Sequence, residues 1–213
     1  MEEQTTVGFY AFICCYFKDT KWGKHLRRNL EGYKVPTTLY KRNGWKRKPI
    51  NSIFLFSVEE RGIGGFHGGL KGYLENSRHF IVVCSPHSAK SRVMAEAISY
   101  FHSIGRSKDI HFFIVDGIPD SSDRETECFN PVVKKLGITV TSCVNINEKK
   151  YRWSWLNRQR AYVQLIAALL GVEADLILQH HKRRAIQKLT VTLVVSIITA
   201  SLLLLHWLGV KGL

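Results

Sequence analysis

Short continuous apolar runs alternate along this chain with segments whose apolar residues recur every third or fourth position. Val7 to Tyr16, VGFYAFICCY, is the first such run and predicts a buried strand. Lys18-Asp19-Thr20 makes a turn, after which Trp22, Leu26, Leu30 and Tyr33 predict a helix that ends before Val35-Pro36. A basic, glycine-bearing connection over Thr37 to Pro49 leads to a second strand at Ile53 to Ser57. Val58 to Gly69, VEERGIGGFHGG, holds five glycines in twelve residues. That many glycines cannot sustain a helix, so a mobile loop is expected, followed by a short helix at Leu70 to Asn76.

The strongest pattern lies between His79 and Phe101. Phe80, Ile81, Val82, Val83 and Cys84 form an apolar run that stops at Ser85-Pro86, where proline cannot continue a ladder. Beyond it, Val93, Met94, Ala97, Ile98 and Phe101 share one apolar arc at about 100° per residue, the mark of an amphipathic helix. A strand end feeding a helix across a short loop is where open α/β sheets keep their ligand sites, so the chemistry is expected there.

Ile110 to Val115 predicts a fourth strand, with a turn at Asp116-Gly117 and Pro119. Glu127 to Leu136 reads as a weak helix or an irregular segment, and Ile138 to Val144 as a fifth strand. Trp155 to Leu170 carries Leu156, Val163, Ile166, Ala167 and Leu170 at helical spacing, with Gly171 as a natural C-cap. Five strands alternating with helices define an α/β domain with a parallel, doubly wound sheet over residues 1–171.

Val172 to Lys188 is amphipathic and ends in a basic run containing His180-His181-Lys182-Arg183-Arg184. Leu189 to Val210 then has no Asp, Glu, Lys or Arg over 22 positions. As a helix it would reach about 33 Å, the thickness of a hydrocarbon core, which predicts a C-terminal transmembrane helix. The organisation expected is a globular domain at 1–171, a juxtamembrane helix at 172–188 and a single membrane pass at 189–210. Basic residues before the span place the globular domain in the cytoplasm, and the polar, acidic Met1 to Thr6 is no secretory signal.

A formal charge of +14 over 213 residues suggests an anionic partner. The clusters are Lys41-Arg42 with Lys46-Arg47-Lys48, then Lys149-Lys150-Arg152 with Arg158 and Arg160, and finally Lys182-Arg183-Arg184 with Lys188. The last is a topology signal and a contact for anionic lipid; the others read as solvated loops and helix faces. Tyr151, Trp153 and Trp155 between basic residues are expected to pack the last helix on the sheet, so no specific nucleic acid is expected. The five cysteines, Cys14, Cys15, Cys84, Cys128 and Cys143, show no zinc-site spacing and read as small buried hydrophobes in a reducing compartment.

Four stretches together resemble a bacterial TIR (Toll/interleukin-1 receptor) domain over about Val7 to Gly171: FYAFICCYFKDTKWGKHLRRNLEGYKVP, LENSRHFIVVCSPHSAKS, VMAEAISYFHSIGRS, and IHFFIVDGIP with the later ECFNP. The resemblance implies a flavodoxin-like sheet of five parallel strands with helices on both faces, in which Val58 to Gly69 is the loop that gates a nucleotide cleft. It also implies an activity, cleavage of NAD to nicotinamide and ADP-ribose or a cyclic relative, in an antiphage response at the bacterial inner membrane. NAD is then a substrate, no metal or cofactor is needed, and other TIR domains are partners in a homo-oligomer or filament.

Nicotinamide leaves as a neutral ring, so one carboxylate beside the ribose suffices to stabilise an oxocarbenium-like transition state. The family carries that glutamate in a pattern S-x-W-x-x-x-E, which maps here onto Ser91, Val93 and Ala97. The carboxylate is missing. Glu96 lies about 130° from the middle of the apolar arc and reads as a solvated residue, a weak alternative. Either the protein is a non-catalytic adaptor acting by TIR–TIR contact, or this is an inactivated form of an enzyme with glutamate at 97. The second fits better, since alanine is the usual truncating substitution and the surrounding frame is intact. By position the resemblance places Phe12, Cys14, Lys18, Trp22 and Ser91 beside the nucleotide and Glu59, Glu60 and Arg61 on the gating loop. A core role fits Trp22 equally well. His67, His87 and His102 read as surface residues, and Ser85 as part of a strand-ending turn rather than a nucleophile.

Overall fold

The computed structural model describes residues 8–45, 49–50, 52–58, 68–140, 142–148, 152–178, 190 and 192–201. Residues up to Val172 form one compact unit, and Glu173 onward forms another.

In the first unit, β1 (Phe9–Tyr16), β2 (Ile53–Val58), β3 (Ser77–Cys84), β4 (Ile110–Ile114) and β5 (Cys143–Asn145) make one sheet in the order β2-β1-β3-β4-β5, every pair parallel. β1 and β3 are central and covered on both faces, which is why they are the longest uninterrupted apolar runs. The helices are α1 (Thr20–Gly32), α2 (Thr37–Asn43), α3 (Gly68–Glu75), α4 (Pro86–Ala89), α5 (Arg92–Ser103), α6 (Pro131–Lys135) and α7 (Ser154–Leu170).

Register brings Phe12 beside Phe54 on β2 and Phe80 on β3, and Val82 beside Phe112 on β4. On that face Phe12, Cys14, Phe80, Val82, Cys84, Phe112 and Ile114 pack under Met94, Ala97, Ile98 and Phe101 of α5, with Leu74 of α3 and Val133 of α6. The predicted apolar arc of α5 is thus the face that packs against the sheet, with Val93 at its half-buried margin. The Phe80 and Phe101 rings meet at 5.4 Å. The opposite face carries α1 and α7. Gly23 of α1 lies so close to the sheet that a Cβ there would stand 2.9 Å from Cys15 Sγ and from Leu55 Cδ1. Tyr162 of α7 stacks on Phe113 at 5.6 Å and its hydroxyl lies 2.8 Å from His25 Nδ1 of α1.

Several boundaries differ from the pattern. The connection at Thr37 to Pro49 begins with α2, held by one buried anchor, Leu39, and ended by Gly44 in the left-handed region at φ 65°. A single apolar residue leaves no period to detect. Gly68 and Gly69 belong to α3 rather than to the loop, while 59–67 lie outside the described residues. A four-residue helix, α4, intervenes before α5. The fifth strand is only Cys143–Asn145, because Ile138 turns back to donate to the Val133 carbonyl and joins the α5-side core without pairing.

Trp153 and Trp155 are 61% and 55% exposed and do not pack the last helix on the sheet. α7 docks instead through Ala161, Tyr162, Leu165, Ile166 and Leu169, about two to four turns further on. Tyr151 is outside the described residues. Four cysteines are buried, but Cys143 on the edge strand is exposed. His102 is half-buried, its Nδ1 2.7 Å from Ser107 Oγ.

In the second unit, residues 174–178 and 192–201 are helical, and every residue of 192–201 is exposed. The basic run and the remainder of the expected span lie outside the described residues. Among the described residues no helix is long and apolar enough to cross a membrane.

Candidate functional site

In this strand order the chain leaves β1 toward the β2 edge and leaves β3 toward the β4 edge. The loops after these two adjacent strands diverge from their C-terminal ends, the place where open α/β sheets take ligands in a crevice. The segments that meet there are Tyr16 to Thr20 from β1 and Ser85 to Ser88 from β3.

The β1 wall is set by a single 3-10 turn, Phe17–Asp19, which delivers Asp19 to the N-cap of α1. On the β3 wall, Pro86 ends the strand and leaves Ser85 extended as the N-cap of α4. Ser85 and Ser88 bond reciprocally: the Ser88 amide donates to Ser85 Oγ at 3.1 Å and the Ser85 amide to Ser88 Oγ at 2.8 Å. This pair fixes the Ser85 side chain so that its hydroxyl proton points across the crevice to Asp19 Oδ2, 2.5 Å away.

Asp19 is only 7% exposed. Loss of water pushes its carboxyl pKa up, against the bond from Ser85; His87 and Lys18 pull it down and Asp116, at the end of β4, pushes it up. Beside it, Thr20 Oγ1 donates to the Phe17 carbonyl at 2.6 Å, which leaves Ser57 at the end of β2 as the donor in its 2.6 Å pair with Thr20. The rim is aromatic. Tyr16 meets Phe17 at 4.7 Å and lies nearly parallel to the exposed His87, 5.9 Å away at 22°.

Lys18 is exposed at this rim, next to Asp19. Trp22 is half-buried on α1 with its ring edge-on to His25. Phe12 and Cys14 are wholly enclosed in the core, and burial holds the Cys14 thiol pKa well above its usual range. Ser91 is buried as the N-cap of α5, where its Oγ accepts from the Met94 amide at 3.4 Å. Ala97 is 0% exposed, packed in the cluster that also holds Phe12, Cys14 and Met94. Glu96 faces out, its Oε1 taking Arg92 Nε at 2.9 Å on the side of α5 that bears Ser99 and Tyr100. Glu59, Glu60 and Arg61 lie outside the described residues.

The fold therefore assembles Lys18 with three residues that patterning did not single out as a site: Asp19, Ser85 and His87. A serine before proline with a second hydroxyl three residues on was the available signal for Ser85. Nothing local marks Asp19, whose partner is 66 positions away. Asn130, within the ECFNP stretch, is a further buried polar hub: its Nδ2 donates to the Ala89 and Ser91 carbonyls at 3.0 Å each, and its Oδ1 caps α6. Among the described residues no three His, Cys, Asp or Glu side chains gather as a metal site.

The fold defines a class, the α/β domain with a five-stranded parallel sheet whose strand order reverses between β1 and β3. No family model and no curated protein sequence matches this chain.

Proposed function

We propose that this chain is a membrane-anchored TIR-type domain that takes NAD in the crevice between β1 and β3, and that its catalytic form carries glutamate at position 97. The observation that carries this reading is the sheet order β2-β1-β3-β4-β5 with a buried polar pair, Asp19 and Ser85, at the point where the order reverses. The four sequence stretches that resemble TIR domains supply the elements around that point: β1 to α1, β3 to α4, α5, and β4 with the ECFNP segment.

In this reaction the bond between the ribosyl carbon and the nicotinamide nitrogen breaks, and its electron pair leaves with the ring. Water or the adenine base takes the sugar carbon, and a carboxylate at position 97 stabilises the positive charge that develops on the ribosyl ring between the two events. Alanine supplies no such charge, so the chain with Ala97 is expected to release no nicotinamide. Residues 189–210 are the proposed anchor, and self-assembly in the membrane is the proposed trigger.

The test is Ala97→Glu, purified as the full chain in detergent and assayed for nicotinamide release. Release by the variant and none by the parent supports the enzyme; an assembled variant inert over a broad range of NAD concentrations refutes it. One observation favours a second reading, a non-catalytic adaptor: Ala97 is sealed in the apolar core rather than lining an open cleft. Specific cross-linking to another TIR protein together with an inert Ala97→Glu would select it.

A further inference from the structure

Asp19 is a carboxylate with less partnership than its burial warrants. It is more than nine-tenths buried, yet among the described residues its only hydrogen bond is the one from Ser85, made to Oδ2. No lysine or arginine of the described residues lies within ion-pair distance of it. As the N-cap of α1 it makes no side-chain bond to the helix amides, so capping does not account for it either. A neutral asparagine would also accept the Ser85 proton, and the cost of burying the charge is offset only in part by the bond from Ser85 and by the nearby His87 and Lys18, since loss of water still leaves the carboxyl pKa raised. Such a group is explained by a donor that arrives from outside.

The chemistry of the crevice selects the donor. A phosphate would meet like charge at Asp19 and Asp116. A metal ion lacks the ligand set, since no three metal-binding side chains gather here among the described residues. Neutral hydroxyls remain, and the Asp19 oxygen that Ser85 leaves free has two lone pairs, one for each of two adjacent hydroxyls. Ser85, clamped by Ser88, holds Oδ2 in place and so fixes the orientation of the other oxygen. The exposed His87 ring, backed by the buried Tyr16, offers a flat surface for a base, and Lys18 lies next in sequence for a neighbouring phosphate.

We propose that Asp19 is the acceptor for the vicinal hydroxyl pair of a ribose, and that the crevice selects nucleotides carrying that pair unmodified. This deepens the NAD reading above and rests on it: it assigns one of the two riboses of NAD to Asp19.

The experiment is a binding cycle on the full chain in detergent. Affinities of the parent and of Asp19→Asn are measured for NAD and for two analogues, each lacking the hydroxyl pair of one ribose. Asp19→Asn is expected to bind NAD at least about tenfold more weakly while melting no lower than the parent. One of the two analogues is expected to bind parent and variant alike. Ser85→Ala, which keeps the charge but releases its orientation, is expected to lose a few-fold. If NAD binds the parent and Asp19→Asn equally, or if both analogues lose as much against the variant as NAD does, the assignment of Asp19 is overturned and the NAD reading stands. If magnesium alone raises the melting temperature of the parent and not of Asp19→Asn, the site binds a cation and the assignment is overturned. If the parent binds no NAD up to millimolar concentration, the NAD reading falls and the ribose assignment falls with it.

Discussion

His79 on β3 and His111 on β4 lie side by side beneath α7, with His79 Nδ1 3.1 Å from His111 Nε2. The second nitrogen of each ring, His79 Nε2 and His111 Nδ1, is buried without a hydrogen-bond partner. One ring lends a proton to the other and both stay neutral. Tyr10 covers His79 at 5.2 Å and donates its hydroxyl to the Leu169 carbonyl at the end of α7. Burial is the main cause that brings the His79 pKa down to about 3, with His111, Arg78 and Arg106 adding to it, and burial brings His111 down to about 4.

Stability should therefore depend on pH below neutrality. Both folded-state values lie under the ordinary histidine value of 6.5, so the unfolded chain binds more protons between them. The contribution is fully present above pH 6.5 and is lost as pH falls toward 4 and 3, by roughly 1 kcal/mol per pH unit for each histidine. Urea unfolding of the full chain at pH 7.5, 6 and 5 measures the slope. A double variant, His79→Leu with His111→Leu, should flatten it.

Gly23→Ala and Gly32→Ala should have opposite signs. A Cβ at Gly23 would stand 2.9 Å from Cys15 Sγ and Leu55 Cδ1, inside the interface of α1 with the sheet, whereas one at Gly32 meets nothing within 4 Å. The first change should cost about 1–3 kcal/mol by overpacking. The second should be neutral or stabilise by up to about 1 kcal/mol through helix propensity. Thermal melting of the two variants side by side reads the difference.

Asn130→Ala should destabilise by about 1–3 kcal/mol, because it leaves the Ala89 and Ser91 carbonyls without their donor and strips the cap from α6. Asn130→Asp is a sharper probe. It keeps the cap acceptor but turns the Nδ2 donor into an oxygen facing two carbonyls, so it should be as damaging as alanine or more so in a denaturant titration.

Ala97→Glu should lower the melting temperature as well as create the proposed activity. Position 97 is fully enclosed, and an ionised side chain there is held against Phe12 and Met94 unless it reaches the crevice. The loss should be larger at pH 8 than at pH 5, since burial favours the protonated carboxyl. Equal melting at both values would mean that the carboxylate has reached water.

Thiol labelling should be confined to one residue. Cys143 is exposed on the edge strand, whereas Cys14, Cys15, Cys84 and Cys128 are buried. Partial loss of water around its sulfur, with Asp120 adding to it, lifts the Cys143 pKa to about 11, so its alkylation should be slow at pH 7.5 and quicken as pH rises. Mass mapping after labelling the native chain should find Cys143 alone until denaturant is added.

The sequence by itself determined the strands and helices wherever burial is one-sided or complete over many residues. FYAFICCY and FIVVC are apolar throughout because each lies between two neighbours and under two helix layers, and Met94, Ala97, Ile98 and Phe101 repeat at helical spacing because one side of α5 meets the sheet. That periodicity is local and survives in the chain order. It fails for α2, which rests on Leu39, and for β5, which pairs over three residues, because so few contacts leave no period. Tertiary structure alone decided the site. Asp19 and Ser85 are ordinary turn residues 66 positions apart until parallel pairing of β1 with β3 sets their ends side by side. His79 and His111 likewise sit singly in apolar runs and become a buried pair only through the register of β3 on β4. The pattern of a sequence records how much each residue is buried; which residues are buried against each other depends on strand order, and no local signal carries that.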